Sequence, residues 1–112
     1  MNNPDQLYTV VLITAPNQQT AEGIAEGLVE NKIAACVNLL PGVRSVYRWQ
    51  GEIEREEEVM LMVKTRLDLV EEKLIPLVKD QHPYDVPEIL ALPVLQGTEE
   101  YLDWINQSTL GG

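Results

Sequence analysis

One histidine and one cysteine bound the side-chain chemistry open to this chain. His82 stands in the run Gln81-His82-Pro83-Tyr84, a loop stiffened by proline. An imidazole there is a candidate metal ligand or proton-transfer group, and equally an ordinary loop side chain bonded to backbone. Zinc takes roughly three or four protein ligands, and one His with one Cys does not supply them within a single chain. Carboxylates such as Asp85 and Glu88, or symmetry-related copies, would have to complete such a set. Cys36 lies between Ala35 and Val37 in a strand-like run, where a thiol is a small buried hydrophobe rather than a nucleophile. Glu52, Glu54, Glu56, Glu57 and Glu58 form a dense acidic stretch. Hard divalent cations favour oxygen ligands, but EF-hand spacing is absent, and the simpler reading is a solvated arm that keeps a sheet edge from sticking. Lys64 closes another strand-like run and is a candidate anion contact. No Gly-rich phosphate loop, Ser-His-Asp set or HExxH occurs. No residue is therefore assigned to catalysis, and a non-enzymatic role is expected.

The 112 residues, 45% of them hydrophobic, fit one domain spanning residues 1–112. Acidic residues number 18 against 8 basic, a net charge of −10. That field repels nucleic acid and anionic membrane surfaces, whose recognition rests on Lys and Arg. A single cysteine forms no intramolecular disulfide, which fits a reducing compartment. No apolar run approaches the roughly 18 residues of a membrane span. The opening Met-Asn-Asn-Pro-Asp-Gln lacks the charge and apolar pattern of a signal peptide. A cytoplasmic protein without nucleic-acid partner or membrane insertion is expected.

The elements that position these residues follow from periodicity. Residues 7–14 (LYTVVLIT) read as a strand closed by Ala15-Pro16-Asn17. Asn17 is the predicted cap of a helix on which Ala21, Ile24, Ala25 and Leu28 share one face, with Asn31 as a left-handed stop. Residues 33–40 make a second strand, Pro41-Gly42 a turn, and residues 43–50 a third strand that Gly51 interrupts. Residues 59–65 (VMLMVKT) make a fourth. Asp68 and Glu71 predict a capping box for a second helix, kinked at Pro76. Residues 88–95 read as a fifth strand, which Pro93 places at an edge. Thr98 caps a short final helix with Tyr101, Leu102 and Ile105 facing inward, and the tail from Gln107 reads as frayed. The order predicts an α+β fold, a ferredoxin-like split β-α-β sandwich with an extra hairpin segment and a C-terminal helix.

Both helices of such a fold cover one face of the sheet, so its strands should alternate apolar and polar. These strands do not alternate. Val10 and Leu12 oppose Val11 and Ile13, and Met60 and Met62 oppose Val59, Leu61 and Val63. The second apolar face implies an oligomer.

Taken in order, these motifs resemble one family. Ala34-Ala35-Cys36-Val37-Asn38, then Pro41, Ser45, Tyr47, Trp49, Gly51 and Ile53, are similar to the central signature of the CutA divalent-cation tolerance proteins. Lys64-Thr65, His82-Pro83-Tyr84, Pro87-Glu88 and Tyr101-Leu102 with Trp104-Ile105 continue it. The resemblance implies a homotrimer, akin in architecture to the PII signalling proteins, and a role linked to copper and other divalent metals. It also implies copper ligands at a first-strand Cys and a His-His pair before Pro-Tyr; here those positions read Ile13, Gln81 and His82. The expectation is weak binding of copper or another divalent cation through His82, with no cofactor required. The long third strand makes Trp49 the expected aromatic anchor of the trimer interface. The alternative is a PII-like sensor holding a small anionic effector in an intersubunit cleft, with Lys64, Tyr84 and Glu88 as candidates. A third reading is a scaffold for a protein partner the sequence does not name.

Overall fold

The computed structural model describes residues 7–112. The signal-peptide reading of residues 1–6 lies outside the described residues. The elements are β1 (Tyr8–Ala15), α1 (Gln18–Glu30), β2 (Cys36–Trp49), β3 (Glu52–Arg66), α2 (Ile75–Gln81), β4 (Ile89–Pro93) and α3 (Glu99–Gln107). The strands form one antiparallel sheet in the order β2-β3-β1-β4. Two β-α-β units interleave, each straddling a strand of the other, which is the expected ferredoxin-like α+β arrangement. Among the described residues, no helix is long and apolar enough to cross a membrane.

Hydrophobic residues of α1 (Ile24, Leu28) and of the α2 segment (Leu74, Val78) pack on Val11, Ile13, Leu61 and Val63, all fully buried. Asn17 caps α1 as expected, accepting from the Thr20 N–H at 2.8 Å. Its left-handed stop is Lys32, with φ 57, and not Asn31. Asn31 instead turns its amide back to the Gly27 carbonyl at 2.7 Å.

The predicted third strand and turn need correction. Pro41-Gly42 is a β-bulge inside one long β2, since Leu40 pairs with Met60 and Val43 with Glu58. Three steps along β2 match two along β3, which leaves one extra residue. Gly42 takes φ 75 there, and Pro41, which has no N–H to donate, is tolerated because β2 is an edge strand. The reversal comes at Gln50 (φ 50) and Gly51 (φ 82), the two left-handed residues of a tight hairpin turn. The sheet therefore has four strands, with the acidic arm continuous with β3. This arm projects and draws the molecule out to 49 Å.

Asp68 caps no helix either. Its carboxylate grips Arg66, whose Nε and Nη2 donate at 3.0 and 2.8 Å. A short 3-10 turn and a π turn precede α2, and Pro76 falls in the first turn of α2, where a missing N–H breaks no bond. Thr98 does cap α3. Of that helix only Ile105 is buried; Tyr101 and Trp104 face outward, their rings 5.4 Å apart. The tail is docked, not frayed: Thr109 is buried and accepts from Arg66 Nη1 at 3.1 Å, and the Leu110 N–H donates to the Lys32 carbonyl at 2.9 Å.

On the other side of the sheet the rows run Cys36–Lys64–Val10–Leu92, Asn38–Met62–Leu12–Leu90 and Leu40–Met60–Thr14. Its edge strands are open, Leu40 on β2 being 41% exposed and Leu90 and Leu92 on β4 56% and 45%, while Val10, Leu12, Met60 and Met62 between them are half-buried.

Candidate functional site

His82 ends α2 in extended backbone and is buried. Its Nε2 lies 2.7 Å from the Thr14 carbonyl oxygen, and the Tyr84 N–H points at Nδ1 from 3.2 Å. The carbonyl can only accept and the amide can only donate. The proton therefore sits on Nε2 and the lone pair on Nδ1. The ring clips the end of β1 to the loop that follows α2, and leaves no free nitrogen.

That clip sets Tyr84. Its ring packs on the imidazole, centroids 4.8 Å apart. Its hydroxyl reaches the β3 arm, 3.2 Å from Glu56 Oε2 and 3.3 Å from Glu58 Oε2. One phenolic proton thus serves two carboxylates. Burial, the Glu58 charge and the bond to Glu56 push the Tyr84 hydroxyl well above its ordinary range. Tyr47 is pushed up to about 12, first by a hydrogen bond to Glu56 and then by burial and the neighbouring glutamates.

A cleft of about 690 Å³ opens between this loop and the hairpin. Glu54, Glu56, Glu58, Asp85 and Glu88 supply its charge, and Tyr47, Trp49 and Tyr84 its aromatic surface. The bulge at Pro41-Gly42 brings these together. Beyond it, Ser45 pairs with Glu56, Tyr47 with Glu54 and Trp49 with Glu52, so all point to one face. Read straight through, the alternation of β2 places Arg44, Val46 and Arg48 there instead. This is why Tyr47 and the alternating glutamates were not assigned from sequence; their period-two spacing was the available signal. The solvated-arm reading fails at Glu58, only 5% exposed beneath the 82–88 loop.

Of the proposed effector residues, Tyr84 and Glu88 line this cleft and Lys64 does not. Lys64 lies in the row with Val10 and Cys36, its ammonium bonded to Asn38 Oδ1. Trp49 lines the cleft at the hairpin tip, 48% exposed. The copper donor set implied by the resemblance is not assembled. Ile13 is fully buried, Gln81 is exposed, and both His82 nitrogens are engaged by backbone. Among the described residues, no three His, Cys, Asp or Glu side chains converge as a metal site. The residues present do not fit a copper ion at that position.

Comparison with known proteins agrees with the fold. Residues 9–108 match the model of the family described as CutA1 divalent ion tolerance protein. Over 100 residues the chain is 52% identical to the divalent-cation tolerance protein CutA of Thermus thermophilus, covering 89% of this chain and 96% of that one. It is 44% identical to the chloroplastic protein CutA of Arabidopsis thaliana, of which it spans 54% while 89% of this chain is matched. The crystal structure of CutA1 from Oryza sativa superposes with a TM-score of 0.90 at 40% identity, covering 95% of this chain and 96% of that one. A family match over most of the length, high identity and a shared fold agree: the chain belongs to the CutA1 divalent ion tolerance family.

Proposed function

We propose that the protein is a homotrimeric, non-catalytic divalent-cation tolerance protein of the cytoplasm that contacts copper or other divalent metals only weakly. The names of its relatives supply the cation-tolerance role, and the free thiol of Cys36 suits a reducing compartment. One observation carries the assembly: Val10, Leu12, Met60, Met62, Leu90 and Leu92 share the sheet face opposite α1 and α2, with Leu90 and Leu92 56% and 45% exposed. Continuous apolar surface of that kind is covered by another chain in soluble proteins. Weak metal contact follows from the engaged nitrogens of His82 and from carboxylates that, among the described residues, do not converge.

The faces make the test sharp. Val11 lies in the helix-covered core and Met62 on the open face. Light scattering on Met62→Glu should give a folded species of lower mass than wild type, whereas Val11→Glu should unfold the subunit itself. A wild-type mass of one chain, or an unchanged Met62→Glu assembly, would overturn the trimer. Copper titration should give weak binding that survives Cys36→Ala; a tight stoichiometric site would overturn the metal reading. Tyr84 and Glu88 in the cleft favour a PII-like sensor as the second reading, but the lining holds five carboxylates and no Lys or Arg, which disfavours an anionic effector.

A further inference from the structure

We propose that the outer face of the β2–β3 arm docks in the cleft of a second copy of this chain. The two faces of the arm carry unlike surfaces. The cleft face presents Tyr47, Trp49 and the alternating glutamates. The outer face presents the rows Arg44–Glu57, Val46–Arg55 and Arg48–Ile53. It continues the side of β3 on which Val59, Leu61 and Val63 are buried under the helices. On the arm that cover ends: Val46 is 65% exposed, Ile53 51%, and the three arginines are exposed as well. Three of the eight basic residues of the chain thus stand on one small face, with a single glutamate, around two bare aliphatic side chains.

Charge complementarity names the occupant. The cleft is lined by five carboxylates and by no Lys or Arg, so the molecule carries the complement of the arm's outer face. Both faces repeat every second residue, roughly 6.6 Å along the strand, and their rows can come into step. Stacked sheets pack about 10 Å apart, a gap that arginine and glutamate bridge from opposite sides. In such a stack the arginines meet the carboxylates, and Val46 and Ile53 meet the rings of Tyr47 and Trp49. The two faces point in opposite directions on one hairpin, so they do not meet within one chain. The contact between them is head-to-tail, the kind that closes a ring of identical subunits. The cleft face also continues the open sheet face, through the pairs Leu40–Met60 and Val43–Glu58, so the docked arm extends the contact that the open face begins. The inference rests on the proposed homotrimer and names the surfaces that join it.

The test is a charge swap on the full chain, read by light scattering across a dilution series. Arg48→Glu with Arg55→Glu reverses the arm, and Asp85→Lys with Glu88→Lys reverses the loop side of the cleft; all four side chains are exposed. Each pair alone sets like charges against each other and should raise the concentration of half-dissociation at least about tenfold. The cleft pair should do so although it lowers the net negative charge of the chain, which general self-repulsion does not predict. The four substitutions together restore opposite charges and should return assembly to within about threefold of wild type, a rescue that misfolding does not give. Lys73→Glu with Lys79→Glu, exposed positions beside and on α2, makes the same charge change as the arm pair and should leave assembly unchanged. A single-chain mass for wild type would overturn the homotrimer and this contact together. A wild-type trimer that either reversed pair leaves intact, a combined variant that stays weakened, or equal weakening by the α2 pair would overturn the docking alone.

Discussion

Replacing His82 by alanine should destabilise the fold and leave copper affinity where it was. The substitution removes the bond from Nε2 to the Thr14 carbonyl and the bond from the Tyr84 N–H to Nδ1. Each such bond is worth about 0.5–1.5 kcal/mol net, and more when a buried partner is left unsatisfied. The ring contact with Tyr84, at 4.8 Å between centroids, adds about 0.5–1.5 kcal/mol. The sum is about 1.5–4.5 kcal/mol, a large share of the roughly 5–15 kcal/mol that holds a small domain folded. Urea unfolding reads it as a lower midpoint at unchanged slope, at one fixed protein concentration because assembly adds to apparent stability. His82→Gln can still donate to Thr14, and His82→Asn can still accept from Tyr84, so both should fall between alanine and wild type. A ligand role predicts the reverse pattern. A midpoint shift under about 0.5 kcal/mol together with lost copper binding would refute the clip.

Alkaline pH tests the tyrosines: Tyr47 is pushed from 10.0 up to about 12, and Tyr84 moves the same way. A phenol that holds its proton more tightly when folded contributes stability that is fully present below its unfolded value near 10 and lost as pH rises through the folded value. Wild-type urea midpoints should therefore fall above about pH 10, and less steeply in Tyr84→Phe; parallel curves would count against the placement of its hydroxyl between Glu56 and Glu58. Gly51→Ala forces a Cβ into φ 82 and should cost about 1–2 kcal/mol in the same assay, whereas Gly23→Ala inside α1, where φ is ordinary and the Cβ meets nothing, should raise stability by about 0.5–1 kcal/mol. Thr98→Ala should cost about 1 kcal/mol by freeing the Tyr101 N–H, and an unchanged midpoint would mean that the α3 cap is not holding.

What could be read from sequence divides along a physical line. Elements set by one local pattern came out directly. The face of α1 with Ala21, Ile24, Ala25 and Leu28 is buried as its spacing requires, and the caps at Asn17 and Thr98 are made. The doubly apolar strands were legible as well, and the structure shows which side the helices take. Misreadings arose where two local rules competed. Pro-Gly is a strong turn signal, yet at Pro41-Gly42 the pairing on both sides held the chain in the sheet and turned the pair into a bulge. Asp68 followed by Glu71 reads as a capping box, yet a buried guanidinium two residues upstream is the stronger partner for that carboxylate. The buried Thr109 that Arg66 reaches across the fold has no local signal at all.

The same bulge explains why the site was hidden and how its charge is kept. In the observed register Glu58 faces Val43, Glu56 faces Ser45 and Glu54 faces Tyr47, so no cation stands across the strand from any of them. Arg44, Val46 and Arg48 lie on the opposite face, with Glu57, Arg55 and Ile53. A slip of one residue in either direction would set both Arg44 and Arg48 opposite glutamates of the cleft face. Each cross-strand pair of opposite charge is worth about 0.2–1 kcal/mol, and since the observed register makes one, Arg44 with Glu57, the slip would gain one pair net. The Gln50-Gly51 turn fixes the register against that slip, and the 82–88 loop locks it through Tyr84. One opposite-charge contact within reach of the chain is thereby left unmade, and no arginine stands across the strand from a carboxylate of the cleft. Local rules broken without local compensation concentrate at functional sites. Here the departure lies at the cleft, where the Gln50-Gly51 turn and Tyr84, rather than charge pairing along the arm, set the register.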